Sequence, residues 1–220
     1  MAIPEFPSTP LTPSQFMGSF LPAVLAEFNV PDNLYELDEM VGVHLTGKGG
    51  GEWRVTLKEG EIAVATGSRE EATVTLVQDV EDWRGALWEG RGGPVGRYAA
   101  RLFTPRTAEI VESIGGRAGA ARAALGPLRD LDALFAVVIA EDEAGDWTLQ
   151  LKLGPGPIPT EPDTTITLCV ADAEAMLAGE LGALEAFMAG RIQVDGDVGL
   201  MMQVQGILMQ AARGDPANSP

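Results

Sequence analysis

Ala186-Phe187-Met188-Ala189-Gly190-Arg191-Ile192-Gln193-Val194-Asp195-Gly196-Asp197-Val198-Gly199-Leu200-Met201-Met202-Gln203-Val204-Gln205 is the stretch from which the fold of this chain is read. A helix from Leu181 reaches Ala189, Arg191 to Val194 alternates as a strand, and Asp195-Gly196 makes a turn. Asp197 is then a suitable N-cap for a last helix running to about Ala212. Leu200, Val204, Ile207, Leu208 and Ala211 form one apolar stripe on it. Met201, Met202 and Met209, with Val198 and Gly206, cover much of the remaining circumference, so that Gln203, Gln205 and Gln210 are its polar side chains past the cap. A helix of this kind has to be covered on more than one side. Its own sheet is one cover; the other is the first half of the chain, a second copy in a homodimer, or a bound molecule. Methionine adapts to irregular apolar shapes, which suits a ligand surface and equally suits gap filling in a core.

Working outward, Asp146 to Leu153 alternates so that Trp147, Leu149, Leu151 and Leu153 share an inward face, Thr164 to Val170 is a further strand, and a short helix ends at Met176-Leu177-Ala178-Gly179. The same order occurs earlier. Trp53 to Lys58 alternates, Glu59-Gly60 turns the chain into Ile62 to Thr66, and Thr73 to Val77 is another strand. A helix from Asp79 to Glu89 follows, with Asp79 as N-cap and Gly90 as stop. Trp53 is thus the counterpart of Trp147. The sequence predicts two related α+β units, a complete one near 128–213 and a degenerate one near 16–103. After Gly90 the earlier unit has only Gly92-Gly93-Pro94 and helical sequence from Val95 to Phe103, without a closing strand.

The chain divides accordingly into a proline-rich arm at 1–13, a degenerate unit at 14–104, a helical connector at 105–127 packing on the second unit, the complete unit at 128–213 and a tail at 214–220. The arm, with prolines at 4, 7, 10 and 13, is not a regular helix and is either disordered or laid along the surface. In the connector, Thr107 to Leu125 has helical spacing, with Gly115-Gly116 as a break and Gly126-Pro127 as the stop.

Composition narrows the chemistry. With 45% hydrophobic residues among 220, a packed core is assured. No apolar run reaches the roughly 18 residues needed to cross a bilayer, so stable membrane insertion is not expected, and the chain reads as soluble and cytoplasmic. A formal charge of −17 argues against a nucleic-acid partner and against anionic membranes. Basic residues nevertheless gather between Arg84 and Arg129. Cys169 is the only thiol and His44 the only imidazole, so a Cys/His zinc site cannot be built within one chain, and a Ser-His-Asp or Cys-His triad would have to use His44. His44 reads as an ordinary strand histidine, and Cys169 as packing. Gly47-Lys48-Gly49-Gly50-Gly51 lacks the ending of a phosphate loop and reads as a hairpin turn.

The closing run quoted above resembles the end of the sterol carrier protein 2 (SCP-2) domain, in which an alanine-phenylalanine pair, a Gly-basic-hydrophobic strand, a Gly-Asp or Gly-Asn turn and an apolar helix carrying a glutamine follow in this order. The Thr165-Ile166-Thr167-Leu168 strand and the Met176 to Gly179 helix end fit the same family. The resemblance is specific from about Asp146 to Gln210 and weaker from Trp53 to Gly90. It implies an α+β fold with a mainly antiparallel five-stranded sheet covered by helices, enclosing an apolar tunnel for fatty acyl, sterol-like or polyketide/terpenoid lipids, with no organic or metal cofactor. In such a fold Gly154-Pro155-Gly156-Pro157 would be a turn or part of the tunnel rim. The ligand-binding residues it implies are Trp147, Met176, Phe187, Met188, Leu200, Met201, Val204, Gln205 and Leu208, Gln205 offering a polar contact to a head group. The eukaryotic carriers tend to be basic, whereas this chain is acidic, and the ending Ala-Asn-Ser-Pro is not a peroxisomal address.

Three functions fit these observations. One is binding or carriage of an apolar small molecule. Another is a cofactor-independent enzyme using Glu185, Asp195 or Asp197 as acid or base in the cavity; these residues also serve as a solvated helix residue, a turn former and a helix cap. The third is a ligand-free interaction module in which Trp83 and Trp88 form a buried contact surface.

Overall fold

The computed structural model describes residues 4–27, 30, 35–101, 118–140 and 145–213. The first three residues, the stretch 102–117 containing the expected start at Thr107 and break at Gly115-Gly116, and the tail 214–220 lie outside the described residues. Helix α1 begins at a capping box: Thr12 Oγ1 accepts from the Gln15 amide at 3.3 Å, and Gln15 Oε1 accepts from the Thr12 amide at 3.0 Å. It runs as Pro13–Gln15, a π-helical turn Phe16–Phe20 and Leu21–Leu25. The glycine run then turns β1 (Asp38–Thr46) into β2 (Gly51–Lys58), and Glu59-Gly60 turns β2 into β3 (Glu61–Thr66). Both turns lie where the sequence places them. β4 (Val74–Asp79) leads into α2, which is Val80–Arg84 continued by a π-helical turn Gly85–Glu89. Asp79 Oδ1 accepts the Glu81 amide at 2.8 Å, and Gly90 stops the helix in the left-handed region at φ 74°. α3 (Gly93–Arg101) closes the first half.

The second half contains α4 (Ala118–Arg129), β5 (Ala133–Ala140), β6 (Trp147–Leu153), β7 (Thr164–Cys169), α5 (Val170–Leu177), α6 (Ala183–Met188), β8 (Ile192–Gly196) and α7 (Val198–Arg213). α4 passes through Gly126-Pro127 to Arg129 rather than stopping there. So near the helix end, proline forfeits a single hydrogen bond. α4 packs chiefly along α7.

All eight strands form one mixed sheet in the order β3-β2-β1-β4-β6-β5-β7-β8. The expectation of a mainly antiparallel five-stranded sheet is therefore corrected. β1 and β2 are an antiparallel hairpin with β4 parallel on the other side of β1; β5 and β6 are an antiparallel hairpin with β7 parallel on the other side of β5. This leaves β4 and β6 each with a bare edge, whose amides and carbonyls require partners. They pair with each other, antiparallel, from Val74↔Leu153 to Val77↔Gln150. The Gln78 side chain adds a hydrogen bond, Nε2 donating to the Thr148 carbonyl at 2.9 Å, and the Gly154 main-chain amide donates to the Thr73 carbonyl at 2.8 Å. Gly154 to Pro157 thus belongs to this seam and not to a tunnel rim.

Residues opposite one another in register share a sheet face. Leu76, Leu151 and Phe135 are such neighbours, so one apolar face runs across the whole sheet and carries both cores. The first core gathers Phe16, Met17, Leu45, Trp53, Trp83 and Leu87; the second gathers Ile139, Trp147, Leu168, Ala173, Ala186 and Ile192. Trp83 and Trp88, expected on a contact surface, instead meet each other edge to face at 5.4 Å and Phe16 edge to face at 5.3 and 6.0 Å inside the first core. The proline-rich arm lies along the surface above them: Phe6 packs 5.3 Å from Trp88, whose indole N–H donates to the Pro7 carbonyl at 2.9 Å.

Candidate functional site

Where β5, β7 and β8 carry their helices, the packing is incomplete. A cavity of about 1200 Å³ opens there. Phe135, Val137 and Ile139 of β5, Ile166 and Leu168 of β7 and Ile192 of β8 form its floor, spaced two apart so that they project from one face of the sheet. Ala173, Met176 and Leu177 of α5 and Leu184 and Phe187 of α6 form one side. α7 forms the other with Val198, Met201, Met202, Val204, Gln205, Gly206 and Met209, and Pro94 and Val95 of α3 complete it. Among the described lining residues Gln205 is the one with a polar side chain. Val95, Leu177, Leu184, Phe187, Val198, Met202 and Met209 line the cavity and are also exposed, which places them at its mouth.

α7 is held by the sheet and by α4. Asp197 caps it through Oδ1, which accepts the Gly199 amide at 2.7 Å and the Leu200 amide at 3.2 Å. Leu200 anchors it against Ala133 and Phe135. Met202 and Met209 are exposed at the opening, where no described residue supplies the cover that the helix's all-round apolar pattern calls for.

The residues singled out from sequence fall into groups. Met176, Phe187, Met201, Val204 and Gln205 line the cavity together. Leu200 is buried beside it, in the contact that fixes α7 to the sheet. Met188 points to solvent, 77% exposed. Trp147 is 2% exposed beneath α2, its indole N–H donating to the Asp82 carbonyl at 2.8 Å. Leu208 has its backbone in α7, and its side chain lies outside the described residues. Sequence reasoning missed the floor from β5 because Ala133 to Ala140 is a continuous apolar run, without the alternation that marks a half-buried strand. Its β-branched content, Val137-Val138-Ile139, is the signal that could have found it. Pro94 and Val95 carry no such signal, since only the fold brings them to the second half.

Charged groups lie around the cavity rather than in it. Glu185, Asp195 and Asp197 are exposed and none is among the described lining residues. Arg191 and Asp172 form an ion pair beside Ile192, and the guanidinium hydrogen bond holds the Asp172 carboxyl below the usual carboxylate range. Lys152 is buried on the opposite sheet face, its ammonium donating to Asp132 Oδ1 at 2.7 Å and to the carbonyls of Leu153, Gly154 and Pro155 at 2.8, 3.1 and 3.2 Å. Four acceptors explain why a lysine is tolerated there; its hydrogen bond and charge lower the Asp132 carboxyl. His44 also lies on that face, Nδ1 2.8 Å from Glu52 Oε1. Cys169, expected in packing, is exposed at the end of β7. Among the described residues no cluster of three or more His, Cys, Asp or Glu is arranged to hold a metal ion, and no helix is long and apolar enough to cross a membrane.

Residues 115–209 match the model of the SCP-2 sterol transfer family. Hydroxysteroid dehydrogenase-like protein 2 of Xenopus laevis is 30% identical over 88 residues, which is 38% of this chain and 21% of that protein. Sterol carrier protein 2 of Bos taurus is 25% identical over 93 residues, 39% of this chain and 17% of that protein. The chain thus spans only a minor part of these relatives' own lengths. Among solved structures, the sterol carrier protein domain 2 of Helicoverpa armigera aligns with a TM-score of 0.32 at 20% identity, covering 56% of this chain and 94% of that one. Palmitated SCP2L2 from Aedes aegypti aligns with a TM-score of 0.33 at 22% identity, covering 42% and 86%.

Proposed function

We propose that this chain, whose residues 115–209 match the model of the SCP-2 sterol transfer family, binds and carries an apolar small molecule in the cavity between α5, α6 and α7. The observation that carries the proposal is the cavity itself, about 1200 Å³ with apolar walls. Ligand pockets commonly measure roughly 300–1,000 Å³. The space is open at its mouth, so left without a ligand its apolar walls stand against water. Water is a poor filling, since it needs two to four polar partners and the described walls offer the Gln205 amide alone. An apolar solute replaces that water, gaining about 0.8 kcal/mol per buried methylene.

In this reading Met176, Phe187, Met201 and Val204 contact the ligand's apolar body, and Gln205 hydrogen-bonds a polar group at its end. Fatty acyl, sterol-like and polyketide or terpenoid lipids are the classes that such walls suit. The first half is read as a degenerate copy of the same unit, as the matching order of hairpin, parallel strand and helix supports. Phe16, Trp83 and Trp88 pack together over the first half's sheet, which supports cargo in the second half. Native mass spectrometry and organic extraction of the purified chain test the proposal. An apolar molecule should co-purify or titrate in at one per chain; a chain that neither carries nor takes up any apolar ligand would overturn it.

A further inference from the structure

We infer that the first half of the chain supplies a wall of the ligand cavity and sets the length of ligand it accepts, through Pro94 and Val95 at the start of α3. The inference rests on the cavity being a ligand site. Both residues line the cavity yet precede the family-matched region 115–209.

Four residues, Arg91, Gly92, Gly93 and Arg97, fix this wall to the second half. Arg91 Nη2 donates to the carbonyls of Gly145 and Asp146 at 3.0 and 3.2 Å, while Nη1 lies 3.2 Å from Asp82 Oδ1. Gly92 lies flat on the Trp147 ring, where a Cβ would come within 2.7 Å of it. Gly93 sits over Val170 and Ile139, with room for a Cβ only at 3.3 and 3.7 Å. One turn further, Arg97 Nη2 donates to Glu174 Oε1 at 2.7 Å, linking α3 to α5. Pro94 has no free φ, so the first turn of α3 is held in place and Val95 presents a fixed surface to whatever fills the cavity. Val95 is itself 36% exposed. It thus stands at the rim of the cavity, where a larger side chain has open space to occupy and displaces no packed core.

The test uses the full chain and displacement of a bound pyrenyl fatty alcohol by dodecanol and octadecanol. Val95→Trp should weaken octadecanol binding about tenfold, the loss when roughly two methylenes are kept out, and leave dodecanol near its wild-type affinity. As a variant without added bulk, Val95→Cys in a Cys169→Ser background should be protected from maleimide alkylation by octadecanol. A Val95→Trp chain with wild-type circular dichroism and the wild-type ratio of the two affinities would overturn the wall, as would an unprotected Cys at position 95. A wild-type chain that binds neither alcohol overturns the carrier reading instead, so the two failures are distinguishable.

Discussion

Gly92→Ala probes the joint between the two halves of the chain. Gly92 has φ 78°, in the left-handed region, and an added Cβ would lie 2.7 Å from two atoms of the Trp147 ring. The backbone contribution is about 1–2 kcal/mol for an L-residue held in this region. Trp147 cannot retreat, because it is 2% exposed and pinned by its hydrogen bond to the Asp82 carbonyl. Relieving the overlap therefore shifts packed structure, at about 1–3 kcal/mol. The total is about 2–5 kcal/mol, and at 2–4 °C per kcal/mol for a chain of this length Tm should fall by roughly 5–15 °C. Gly90→Ala is the matched control, with φ 74° and nothing within 4 Å of its added Cβ, so it should carry the backbone contribution alone. Urea unfolding followed by far-ultraviolet circular dichroism measures both. Equal losses for the two variants would refute the close approach of Gly92 to Trp147. In a Trp147→Leu background the excess cost of Gly92→Ala should disappear.

Other perturbations reach the remaining parts of the molecule. Phe16→Ala removes a ring that is 2% exposed and touches both Trp83 and Trp88; it should cost about 3–5 kcal/mol in urea unfolding while leaving ligand uptake by the second half unchanged. Lys152→Ala leaves three carbonyls without their ammonium donor and a void in place of the buried stem, and should lower stability by roughly 2–4 kcal/mol, with Lys152→Met recovering the packing part. The Asp132 and Asp172 carboxyls both titrate below 3.8 in the folded chain. The unfolded chain then binds more protons, so these groups contribute stability above that pH and withdraw it as the pH falls further. Thermal unfolding between pH 5 and pH 2.5 should show the loss, and Asp172→Asn should flatten it.

Much of this architecture is legible in the sequence because it is local. Asp79 and Asp197 cap their helices and Gly90 ends one, since a cap is decided by a side chain and the amides next to it. The turns at Gly47 to Gly50 and Glu59-Gly60, the alternating strands at Trp53 and Trp147, and the apolar last helix are short-range patterns of the same kind. From them follows the α+β class, while the resemblance of the run Ala186 to Gln205 and of the Met176 to Gly179 helix end to SCP-2 domains points to five of the cavity's lining residues. The tertiary structure alone decided the eight-stranded sheet, because β4 and β6 join through main-chain amides and carbonyls that every residue carries and no side chain announces. It decided the burial of β5 on both faces, which erases the alternation that would have marked it as a strand. It also decided that Pro94 and Val95 meet Met176 and Met201 around one cavity. That meeting depends on where the two halves join, and no local pattern records the distance between them.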